Sequence, residues 1–157
     1  MKKTWLRFSP LFVMPVILGI NMFLSIGDYA VPLGVGLNED ERMVERYGWR
    51  GNVLDEFPIQ SITSKEEVEI LILESDFKRT FAAAVLIFLV LVYSIVLEWL
   101  SRVWKVSLEG IIKIPEKWKP VMIGIVISLY AFAAFRIGAH YVRLVQESEA
   151  LLHNLVP

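Results

Sequence analysis

Polar and apolar positions are unevenly distributed along this chain. Three runs carry no charge at all: residues 8–27, 80–97 and 120–135, of 20, 18 and 16 residues. A helix needs about 20 apolar residues to cross a ~30 Å hydrocarbon core. The first run meets that alone. The second meets it once Trp99 and Leu100 are added, with Glu98 near the headgroups. The third must continue past Arg136 to His140 or Tyr141, which places Arg136 where it has to snorkel or find a partner. The pattern predicts an all-α integral membrane protein with three transmembrane helices and a small extracytoplasmic helical loop domain.

Six segments follow. Residues 1–27 form a cytoplasmic tip and the first transmembrane helix, and 28–79 an acidic loop domain. Residues 80–101 are the second transmembrane helix, 102–119 a basic cytoplasmic loop, 120–141 the third transmembrane helix, and 142–157 an amphipathic tail. Two helix starts are read in the acidic loop. Asn38-Glu39-Asp40-Glu41 supplies an N-cap and first-turn acids, with Gly48 as the stop. Ser64-Lys65-Glu66-Glu67 has capping-box spacing. From there Val68, Leu71, Ile72 and Phe77 recur at helical intervals, so this helix is expected to run on into the second transmembrane stretch. Val68-Glu69-Ile70 also fits a strand. The stretch 47–63 contains Gly48, Gly51 and Pro58 and reads as an extended connection. In the tail, Leu144, Val145, Leu151, Leu152 and Leu155 alternate with charged residues as one amphipathic helix. That helix either extends the third span or packs on the acidic loop.

Composition sharpens the class. Of 157 residues, 55% are hydrophobic, above the roughly 45–50% of soluble domains. Mean hydropathy is +0.54. Net charge is −1, which gives no electrostatic footprint for nucleic acid. The absence of cysteine removes disulfides, thiolate metal sites, iron–sulfur clusters and thiol catalysis. Half of the 16 basic residues fall within the first ten positions and the loop 102–119, whereas 28–79 holds 12 acids against six bases. The positive-inside rule then puts the N-terminus and the second loop in the cytoplasm and the C-terminus outside. Trp99, Trp104 and Trp118 flank the basic loop at interfacial height. The first span reads as an uncleaved anchor, because Asp28-Tyr29-Ala30 puts an acid where a cleavage site wants a small residue. A bacterial inner membrane is the simplest location. The basic loop, with Ile111, Ile112 and Ile114 among its lysines, is read as an interfacial segment facing lipid phosphates.

Candidate chemistry is sparse. Polar residues at membrane depth are functional candidates by default. Asn21 lies in the middle of the first run and is read chiefly as a helix-packing hydrogen bonder. Glu98 and Arg102 are four apart on one helix face and are read as an ion pair. Arg136 and His140 share the same spacing and are read chiefly as a snorkelling arginine and an interfacial histidine; Arg136 could instead hold an anionic headgroup, a quinone oxygen or a partner carboxylate, and His140 could act as a pH-sensitive group or haem ligand. Gly124, Ser128, Ala131, Ala134 and Gly138 form a small-residue stripe for close helix packing. No catalytic, cofactor-binding or metal-binding constellation is legible, and no cofactor is called for: the second histidine, His153, lies 13 residues after His140 and off any zinc-protease spacing. The expected partners are membrane lipid and other membrane subunits or a second copy, and not nucleic acid. The leading expectation is a non-catalytic accessory or structural subunit of a larger membrane complex. A small transporter or channel subunit, with Arg136 and Asn21 near the path, comes second. A lipid- or quinone-interacting redox subunit comes third.

Overall fold

The structure is a computed structural model and describes residues 2–38, 43–58, 64–105 and 115–155. Element order is α1 (Lys2–Ile26), β1 (Val35–Asn38), β2 (Met43–Tyr47), β3 (Val53–Pro58), α2 (Ser64–Val103), a short 3₁₀ turn (Glu116–Trp118) and α3 (Lys119–Leu155). Three helices are long and apolar enough to cross a membrane. The expectation of a mostly helical chain with three such helices is met. α2 is one uninterrupted helix of 40 residues, about 60 Å at 1.5 Å per residue, roughly twice a hydrocarbon core. α3, with 37 residues, likewise absorbs the amphipathic tail.

The helical reading of the acidic loop needs correction. Residues 43–47 are not the second half of a helix. They form the middle strand of a three-stranded antiparallel sheet, in the order β1-β2-β3. Met43–Tyr47 pairs on both sides: Leu37 faces Val44 and Val44 faces Phe57. An isolated helix of about eight residues is marginal in water. A central strand, by contrast, satisfies its backbone on both edges and buries Val44 completely. The acids at 39–41 that suggested a helix start lie outside the described residues. Gly48, read as a helix stop, instead opens the β2–β3 turn. There Gly48 N–H donates to Asn52 O at 2.7 Å, and Gly51 takes φ +74°, a backbone region that suits glycine. The extended reading of 47–63 thus contains a strand, Val53–Pro58.

The chain divides into two compact units. One holds residues 1–21 and 84–136, the other 22–83 and 137–157. In the first, Leu6 and Ile17 of α1 are buried, Trp5 of α1 stands edge-on to Trp104, just past the end of α2, at 6.1 Å, and a polar relay joins α1 to α2. Pro10 has no N–H, so the Leu6 carbonyl lacks its helical donor. The Ser9 hydroxyl fills that place at 3.0 Å and also meets the Tyr93 hydroxyl at 2.9 Å. With the Ser9 proton directed at Leu6, Tyr93 donates to Ser9, and both hydroxyls of the relay are partnered.

In the second unit, Val35, Leu37, Val44 and Phe57 project from one sheet face. They meet Ile70, Leu73 and Phe77 of α2 and Tyr141, Leu144 and Leu152 of α3. Phe77 is fully buried and stands edge-on to Tyr141 at 5.5 Å. The Tyr141 hydroxyl donates to the Pro32 carbonyl and that of Tyr29 to Leu24. Arg46, at the rim of the same sheet face, bridges to Glu149 on α3 at 2.8 Å and to Asp55 across the strand pair at 3.5 Å.

Candidate functional site

The residues singled out by sequence are dispersed. Asn21 is half-buried on α1 and is engaged rather than free. Glu98 is exposed on α2 and accepts from Arg102 Nε at 2.9 Å, the pair its spacing suggested. Arg136 is exposed on α3, and among the described residues no ion pair reaches it. His140 is exposed on the same helix. Gly124, Ser128, Ala131, Ala134 and Gly138 all lie on the open surface of α3. A Cβ added at Gly124 or Gly138 would meet nothing within 4 Å. The isoleucines of the basic loop fall outside the described residues.

A different set of groups comes together in the sheet-containing unit. A cleft of about 640 Å³ is lined by Asp28, Asn38, Glu45, Tyr47, Glu74 and Lys78, with Ile26, Leu37 and Leu71 as apolar patches. Its parts come from the end of α1, the back of the β1–β2 hairpin and α2. Glu74 Oε2 accepts the Leu37 N–H at 3.1 Å and so caps the free edge of β1. Its other oxygen holds Lys78 Nζ at 2.7 Å, and Lys78 reaches Asp28 at 4.0 Å. Glu45 accepts from Asn38 Nδ2 at 2.8 Å and from the Tyr47 hydroxyl. Gly36 lets that ring lie on the strand, since a Cβ there would stand 2.5 Å from the Tyr47 oxygen. Burial first, then the Glu45 hydrogen bond and the charges of Glu45, Glu74 and Asp28, push the Tyr47 phenol well above its ordinary range. Burial alone raises Tyr29.

Chemically, this cluster is closed on itself. Each carboxylate that accepts a hydrogen bond takes it from a neighbour, and among the described residues no buried side-chain polar atom is left unsatisfied. No group of three or more His, Asp or Glu among them is placed to hold a metal ion. The arrangement works as a latch that fastens the hairpin edge to α2. On the other side of α2, a second hollow of about 460 Å³ lies between α2 and α3. Ile72, Leu73, Ala150 and Leu151 line its floor, and Glu66, Glu69, Asp76 and Glu147 its rim.

Sequence reasoning passed over Glu74, Lys78, Tyr47, Ser9 and Tyr93. Two signals were present. Glu74 and Lys78 are four apart on a helix, and Ser9 directly precedes a proline in a long apolar helix. No protein-family model, curated protein or solved structure matches this chain.

Proposed function

We propose that this chain is a non-catalytic accessory subunit of a larger membrane protein complex. In this reading α1, α2 and α3 each cross the bilayer once, and the sheet-containing unit lies on the extracytoplasmic side. The N-terminus and the loop 102–119 face the cytoplasm, following the basic residues. The observation that carries the reading is the state of α3. None of its most apolar 18-residue window is buried within the chain. That bare stretch is not an ordinary lipid-facing surface. It carries the stripe Gly124, Ser128, Ala131 and Ala134, whose small side chains make little lipid contact and permit close approach of a helix. α1 and α2, by comparison, already have each other through Ser9 and Tyr93. Among the described residues, nothing buries the apolar window of α3, which fits a chain that finishes its packing on another subunit.

The test is purification from native membranes in mild detergent. The expected result is a particle well above the 18.0 kDa of the chain, containing a second protein in fixed proportion. Migration at monomer mass with nothing accompanying it would remove the proposal.

A further inference from the structure

In the sheet-containing unit α2 is apolar on both sides. Its inner side puts Ile70, Leu73 and Phe77 into the core. Its outer side carries Val68, Leu71 and Ile72, exposed by 54%, 44% and 56%. These three stand at i, i+3 and i+4 and so form one continuous stripe. An apolar stripe at this spacing on an otherwise charged helix is the face by which such a helix packs against another element. The described residues cover only the inner side.

Lipid chains are a poor cover for the outer side. Eight of the 15 residues from 65 to 79 are charged, and a segment so charged is too costly to place in hydrocarbon. The hollow between α2 and α3 continues the stripe, with Ile72 and Leu151 on its floor and Glu66, Glu69, Asp76 and Glu147 around it. Lys65 lies 3.7 Å from Glu69 and Arg143 lies 2.7 Å from Glu147. Both pairs are exposed, and exposed pairs of this kind give up a partner at little cost.

We propose that this stripe and hollow seat an amphipathic, cationic helix from a partner subunit. Its apolar ridge, spaced i, i+3, i+4, lies against Val68, Leu71 and Ile72, as ridges of one helix fill the grooves of another. Lys or Arg residues along its flank reach Glu66, Glu69, Asp76 and Glu147. The rim carboxylates favour such a helix and repel an acidic one. This inference rests on the accessory-subunit reading and names the surface and the chemistry of the contact.

The test uses the full chain in its native membrane, with a benzophenone amino acid replacing Ile72. That side chain is exposed, so the fold tolerates the change, and the melting temperature of the purified variant checks this. Illumination is expected to give an adduct with one other protein. Peptide mapping should place it in a segment with apolar residues at i, i+3 and i+4 flanked by Lys or Arg. Adding Glu66→Lys and Glu69→Lys should lower the yield about tenfold, the size of effect a desolvated contact carries. An adduct with lipid, with a second copy, or with an acidic or extended segment overturns the proposal, as does a yield indifferent to the two reversals. Failure to cross-link while a partner still co-purifies sinks this inference alone. Failure of both sinks the subunit reading with it.

Discussion

Tyr47 places a phenol among three carboxylates, and the consequence can be read as pH dependence. Its folded-state proton affinity is raised, chiefly by burial and then by Glu45, Glu74 and Asp28. The folded protein therefore keeps this proton at a pH where the unfolded chain releases it. Stability is unaffected below the ordinary phenol value of about 10 and falls as pH rises above it. Tyr47→Phe should flatten that alkaline loss, and tyrosinate absorbance should show one fewer late-titrating phenol. An identical alkaline profile in the two proteins would contradict this placement. Glu74 matters at the same scale for a different reason. It joins a backbone N–H of β1 to a lysine on its own helix, and Lys78 is only 13% exposed. A charge held that far from water depends on its counter-charge.

At the scale of elements, α2 does two jobs along its length. Residues up to 83 belong to the sheet-containing unit and residues from 84 to the other. Its two faces in the first of these differ sharply in what they hold. Phe77 is fully buried, whereas Leu71 is 44% exposed. Phe77→Ala should cost about 3–5 kcal/mol, the usual loss for an emptied aromatic site in a core. Leu71→Ala in the isolated chain should cost less than about 1 kcal/mol. Denaturant melts in detergent micelles measure both, and equal losses would show that the core is placed on the wrong face. The sheet obeys the same logic of cover. One backbone N–H of edge strand β1, that of Leu37, is taken by Glu74, and β2 is paired on both sides.

For the whole molecule, the three crossings proposed above would put the two ends of the chain in different compartments. The absence of cysteine makes this simple to measure, since any introduced thiol is the only one present. A single cysteine near the C-terminus should react with an impermeant maleimide in intact cells, and one near the N-terminus only after the membrane is opened. Reaction of both from the same side would contradict the proposed topology. The proposed complex belongs to this scale as well. The open stripe on α3 and the acidic hollow by Ile72 are two surfaces of one chain, and each is argued to meet protein rather than lipid for its own reason: small side chains in one case, charge in the other.

The three long apolar helices were determined by the sequence itself, because hydrophobic content adds up along a run of residues and needs no distant partner to be counted. The helix start at Ser64 and the pair Glu98–Arg102 were legible for the same local reason. The strand at 43–47 was not. Its acids and spacing allow a helix, and the choice was made by Leu37 on one side and Phe57 on the other. The latch at Glu74 spans 37 residues of sequence, the Ser9–Tyr93 bond 84 and the Arg46–Glu149 bridge 103. Such contacts depend on which distant groups the folded backbone brings within hydrogen-bond reach, and only the tertiary structure decides that.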